Sequence, residues 1–238
     1  MQDFSASAAI QRSLVKRFRK ELWQPFVAAC KRYALVPEGA RVAAVRDGTS
    51  ASLLASLLLE ELHRHSDVPF ELEISAAADE GPHPPPLRGG PPSPFRGRQD
   101  DGIRTALVSP ERGDAAAAAE RFPRLVVPDC MSDVTEMLLT SMLREGETRG
   151  VLPIEAPDER GVIRIRPLYC IEEKDIRAFC RYNRLPYVPR ETAPERQMAR
   201  ALLETVKQDD PDAEIRVFRA LHAVHADTFP KLHDPEKA

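Results

Sequence analysis

No C-x-x-C pair occurs anywhere in the 238 residues. Cys30, Cys130, Cys170 and Cys180 stand singly, which supplies no metal-ligand spacing and fits a reducing compartment, so a cytoplasmic protein is expected. Long apolar runs are missing as well. The first twenty residues, MQDFSASAAIQRSLVKRFRK, have no apolar signal core, and no stretch approaches the ~18 apolar residues of a membrane span. Neither secretion nor a membrane partner is expected. A strong excess of one charge is also absent: the net charge of −3 gives no global field for nucleic acid, although a local basic face stays invisible to that sum. No internal repeat is found. What remains is 42% apolar content on a chain long enough to bury a real core.

Hydrophobic spacing organises that core. Ile10, Leu14, Phe18, Leu22 and Phe26 recur at helical intervals, so Ala9 to Leu35 reads as one long amphipathic helix with a break near Pro25. Lys16, Arg17, Arg19 and Lys20 lie between the apolar positions. Arg41 to Val45 reads as a short buried strand, Ser50 to His65 as a helix and FELEI, after Pro69, as an alternating strand. Strand, crossover helix and strand within about 30 residues make a βαβ unit, which implies an α/β fold with a parallel sheet.

Between Asp79 and Asp101 seven prolines exclude a helix interior or a central strand. Beyond this loop, TALV at 105–108, a helix over ERGDAAAAAERF and RLVV at 124–127 continue the strand-helix-strand pattern. Asp133 to Arg144 reads as a helix, GVIRIRPL as a strand and Glu172 to Tyr182 as a helix that ends before Pro186 and Pro189. Helices over about Glu195 to Lys207 and Asp212 to His225 complete the chain. The organisation expected is an N-terminal helical segment (1–36), an α/β domain (37–190) with a proline-rich insert (79–101), and a small C-terminal helical region (191–238).

The chemistry-bearing stretch is Arg41 to Leu62, RVAAVRDGTSASLLASLLLEEL, which has the layout of a phosphate-binding strand-loop-helix. Its loop holds one glycine and no lysine. A strand-to-helix turn, with Gly48 at the bend and Thr49 or Ser50 as the cap, accounts for it more readily than a phosphate cradle. Asp133 and Glu136, three apart at a helix start, suit the helix dipole as well as a cation site. Cys130 follows the end of a strand, where open α/β sheets bind ligands, but a buried inert cysteine is the commoner case. His222 and His225, with His233 further on, are too few for a convincing metal site.

Taken together, the basic N-terminal helix, the Arg41 to Leu62 segment, IRPLYCIEEKDIRAFCRYNRLPYV at 165–188 and ERQMARALLETVKQDDPD with a closing helix resemble the tRNA 2-thiocytidine synthetase family. These are PP-loop, or N-type ATP pyrophosphatase, proteins. The resemblance covers most of the chain except roughly 76–122, and Arg166, Pro167, Leu168, Glu173, Lys174, Asp175, Arg196 and Gln197 carry its most specific text. It implies a Rossmann-like parallel sheet of the adenine nucleotide alpha hydrolase (HUP) type, tRNA as partner, and ATP, magnesium and a 4Fe-4S cluster as family cofactors.

The family's active-site motifs are degenerate in this chain. Its PP-loop reads serine-glycine-glycine-lysine-aspartate-serine, where this sequence has Asp47, Gly48, Thr49, Ser50, Ala51 and Ser52. Two unit charges about 4 Å apart at a protein surface interact by ~4 kcal/mol, so an aspartate that replaces attraction by repulsion can abolish phosphate affinity. The second motif, glycine-histidine-histidine-x-aspartate-aspartate, falls on 128–133 and leaves Asp133, with Glu136 one turn later, as vestigial candidates. Cysteines are absent from Lys31 to Asp129 and after Leu185, where the resemblance expects cluster ligands. The expectation is a degenerate tRNA-thiolation protein without ATP pyrophosphatase or sulfur-transfer activity, which contacts RNA through Lys16, Arg17, Arg19 and Lys20 or serves an active paralogue or a second copy of itself. The alternative is an active ATP-dependent tRNA cytidine 2-sulfurtransferase with a divergent site.

Overall fold

The computed structural model describes residues 3–76, 103–106 and 123–224. The proline-rich segment, the helix expected over ERGDAAAAAERF, and His225 and His233 lie outside the described residues. Five strands form one sheet among those described: β1 (Arg41–Arg46), β2 (Glu71–Ala76), β3 (Ile103–Ala106), β4 (Arg124–Val126) and β5 (Ile163–Ile165). Their order is β3-β2-β1-β4-β5 and every neighbouring pair is parallel, so the Rossmann-like α/β architecture holds. Val42, Ala43 and Ala44 are buried in the centre of the sheet, as a strand covered on both faces requires.

The helices are α1 (Asp3–Lys16), α2 (Gln24–Arg32), α3 (Ser50–His65), α4 (Met131–Thr140), α5 (Glu173–Tyr182), α6 (Gln197–Asp209) and α7 (Ala213–Ala220). The break expected near Pro25 lies just before it. A π-helical turn at Arg19–Trp23 separates α1 from α2, and Pro25 sits inside the first turn of α2. A proline ring clashes with the carbonyl four residues earlier, here Glu21, so the distortion is displaced by a turn toward the N-terminus. Another π turn, Ser141–Glu145, prolongs α4 and ends at Gly146, whose φ of 70° is open to glycine at no steric cost. β5 is shorter than GVIRIRPL predicts. At Arg166 the backbone leaves the sheet in a turn, Tyr169 N–H donating to Arg166 C=O, because Pro167 cannot donate to a ladder.

Two compact units emerge, one comprising 1–132 and 152–191, the other 133–151 and 192–238. In the first, Leu14, Phe18, Leu22 and Phe26 from the N-terminal helices join Leu54, Leu58, Leu72, Ile74, Ile165 and Phe179 in a single core. The apolar stripe read from Ile10 to Phe26 thus packs into the sheet's own core. In the second unit, α6 and α7 pack together, with Ala199, Leu203 and Phe218 buried.

Candidate functional site

From β1 the chain builds outward to β2 and β3, then returns to place β4 and β5 on the other side. The carboxyl ends of β1 and β4 therefore flank a topological switch point, where open α/β sheets bind their ligands. Asp47 follows β1 directly and Asp129 follows β4. The groups a phosphate would use at the β1 end are engaged by the chain itself. Asp47 Oδ1 accepts from the Thr49 N–H at 3.0 Å and from the Thr49 hydroxyl at 2.7 Å, while the Asp47 N–H donates to Ser52 Oγ at 3.2 Å. Thr49 is the N-cap of α3 and its oxygen accepts the Ser52 N–H at 3.3 Å. Gly48, at φ 85°, makes the bend.

Ser50 stands at the position where the family motif has lysine, and it is 4% exposed. Its N–H donates to the Val188 carbonyl at 2.9 Å, and its Oγ accepts the Val188 N–H at 2.8 Å. This serine docks the Pro186 to Arg190 segment onto the loop. Tyr187 reinforces the docking, since its hydroxyl donates to Glu173 and its ring lies 4.8 Å from the Arg177 guanidinium carbon. The N–H groups of Asp47, Thr49, Ser50 and Ser52 are thus all bonded within the chain. In geometry the Asp47 carboxylate plays the part of the anion for this helix start.

Arg190 completes the arrangement. It pairs with Asp129 Oδ1, and its charge also acts on Asp47. Partial burial alone would raise the Asp47 carboxyl, but hydrogen bonds from Ser52 and Thr49 and the pull of Arg190 together hold it below the usual carboxylate range. The other oxygen of Asp129 accepts from Arg166 Nε at 2.8 Å; both residues are buried. Arg166 further donates to the Leu152 carbonyl at 2.8 Å and pairs with Glu155 at 2.5 Å. Every arm of this arginine is engaged, which is what keeps a buried guanidinium tolerable.

Asp133 and Glu136 meet arginines in the second unit. Arg196 Nη1 is 3.6 Å from Asp133 and Arg200 Nε is 3.7 Å from Glu136, so carboxylates three apart on α4 face guanidiniums four apart at the start of α6. Glu172, the N-cap of α5, makes no side-chain cap bond; its carboxylate pairs with Lys174 at 2.7 Å instead. Asp175, within the same turn, is raised to about 6 by burial first, then by Glu172 and Glu21 against the opposing pull of Lys174. Cys130 is buried, and burial pushes the Cys30 thiol up to about 12. All four cysteines are described, and none forms a disulfide. Among the described residues no three His, Cys, Asp or Glu side chains converge as a metal site, so the residues present do not fit an iron-sulfur cluster. His222 places a ring nitrogen 3.1 Å from the Phe218 carbonyl.

The basic N-terminal cluster is exposed throughout. Lys16 and Arg17, at the end of α1, line a groove that also includes Arg12, Tyr182 and Arg184, whereas Arg19 and Lys20 belong to the π turn that follows. Sequence reasoning missed Asp129 and Arg190 as partners of the loop, and Arg12, Tyr182 and Arg184 as companions of the cluster. The position of Asp129 at the end of a strand was a usable signal. Nothing in the local sequence ties Arg190 to Asp47, because 143 positions, counted from 47 to 190, separate them.

No family model matches the chain. It is 26% identical over 237 residues to the tRNA-cytidine(32) 2-sulfurtransferases of Citrifermentans bemidjiense and of Geobacter sp. strain M21, covering 83% of this chain and 88% of each relative. A solved structure with a similar fold is the U34-tRNA thiolase NcsA from Methanococcus maripaludis with its [4Fe-4S] cluster, at TM-score 0.56 and 15% identity over 84% of this chain and 76% of that one. Shared sequence along most of its length and the parallel sheet in β3-β2-β1-β4-β5 order make this chain a homologue of the tRNA-cytidine(32) 2-sulfurtransferases, built on the Rossmann-like fold of PP-loop proteins.

Proposed function

We propose that this homologue of tRNA-thiolating enzymes has kept the fold and an RNA-facing surface while losing ATP pyrophosphatase and sulfur-transfer chemistry. One observation carries the reading: the loop after β1 bonds four of its own N–H groups internally, with the Asp47 carboxylate accepting where a phosphate would. A nucleotide would have to displace that carboxylate, break the Ser50–Val188 pair and meet an anion in place of a lysine. Each step opposes binding, and the last alone is worth several kcal/mol at close range. The placement of the cysteines supports the same reading, and thiols outside any disulfide suit a reducing cytoplasm. The described residues include no helix long and apolar enough to cross a membrane. As in the family it resembles, tRNA is the partner.

Isothermal titration of the full chain with Mg-ATP tests the loss of nucleotide binding. No affinity tighter than about 1 mM is expected, which corresponds to no more than ~4 kcal/mol of binding free energy. Micromolar binding that Gly48→Val abolishes, by forcing a β-branched residue into a positive φ, would overturn the reading.

A further inference from the structure

The last turns of α1 and the turn that closes α5 border an open groove of about 590 Å³ in the first unit. Four cations line it, Arg12, Lys16, Arg17 and Arg184, and no carboxylate does. None of the four is ion-paired with a described residue. An α-helix C-terminus favours Lys16 and Arg17 through its dipole, but that accounts for neither Arg12, a turn earlier, nor Arg184 on a separate element. Four cations converging on one groove from two elements, with no carboxylate among its lining residues, suit an anionic partner with several charges.

The same groove contains Tyr182, 58% exposed despite its size. Its ring is held by Phe18 in an edge contact with centroids 5.5 Å apart and planes at 77°, and Phe18 in turn meets the buried Phe179 at 5.6 Å. The tyrosine is thus an exposed aromatic surface anchored to the core, pre-organised to receive a flat partner at little entropic cost. Cations tracking a backbone beside an aromatic platform are the combination that binds single-stranded nucleic acid. A duplex keeps its bases stacked and cannot offer one to Tyr182.

We propose that this groove holds an unpaired stretch of RNA, with phosphates on Arg12, Lys16, Arg17 and Arg184 and one base stacked on Tyr182. The assignment rests on the reading of RNA as the partner and adds where and in what form it is held.

The test uses the full chain and a fluorescent single-stranded oligouridylate of about ten nucleotides, within the footprint of ~4–16 typical of such surfaces. Tyr182→Ala weakens binding by ~10-fold or more, whereas Tyr182→Phe, which keeps the ring, binds like the native protein. Lys16→Gln and Arg184→Gln each reduce the slope of log affinity against log salt by ~0.7. A duplex RNA of equal length binds with no dependence on Tyr182. Circular dichroism confirms that each variant is folded. RNA binding unchanged by Tyr182→Ala and Lys16→Gln would overturn the groove while leaving an RNA partner in place. No RNA binding at low salt would overturn both, and tighter binding of polyglutamate or anionic vesicles would reassign the cations to a protein or membrane partner and so overturn the proposal.

Discussion

Two carboxylates titrate in opposite senses, and the contrast tests the local electrostatics of the first unit. Asp47 is held below its ordinary value of ~3.9, so its contribution to stability is present above that pH and lost as the pH falls through the lower folded value. Asp175 is raised to about 6, so the folded state is favoured below ~3.9 and that advantage is lost as the pH rises through 6. Denaturant unfolding from pH 7 down to 3 checks both. Asp47→Asn is expected to be less stable than the native chain at pH 7, with the gap closing in acid. Asp175→Asn is expected to be more stable at pH 7 and to lose its advantage near pH 4. Thr49 as cap and Gly48 as bend were legible in the sequence because both roles are local: a side-chain oxygen reaching three residues ahead, and a φ that favours glycine. The partner of Ser50 was not, since Val188 arrives from a distant part of the chain.

At the scale of elements, Arg166 ties the end of β5 to the end of β4 and to the segment at Leu152 and Glu155. Arg166→Ala leaves Asp129 buried with one arginine instead of two, and a loss of ~3–5 kcal/mol is expected in chemical denaturation, the usual cost of breaking a buried pair. A loss below ~1 kcal/mol would show that Arg190 alone suffices to hold Asp129. Arg166, Pro167 and Leu168 stood out as family text, and the geometry gives the first of them a structural task. Most strands and helices were visible in the periodicity of their apolar residues, α3 to the residue. The N-terminal break was legible as a break near Pro25, but not its form: the backbone yields in the turn before the proline, as the π turn at Arg19–Trp23. The shortness of β5 follows from the turn at Arg166, where Tyr169 N–H donates to the Arg166 carbonyl and Pro167 cannot donate to a ladder.

For the whole molecule, the proposed loss of sulfur-transfer chemistry has a direct readout in tRNA. Nucleoside mass spectrometry of tRNA from a strain lacking this protein is expected to find 2-thiocytidine at its normal level; its disappearance would establish the active sulfurtransferase instead. Such an outcome would mean that Asp47 moves aside to admit phosphate. By itself the sequence determined the α/β class, the position of the degenerate loop after β1 and the exposed basic run at Lys16 to Lys20, because apolar spacing, turn chemistry and motif order are all written locally along the chain. Only the tertiary structure decided that the loop's donors are bonded to its own carboxylate and to Val188, and that the basic run splits so that Lys16 and Arg17 join Arg184 and Tyr182 in one groove. The Ser50–Val188 contact and the groove join residues more than a hundred positions apart, and the sheet that brings them together is held by burial summed over the whole core, which no local stretch specifies.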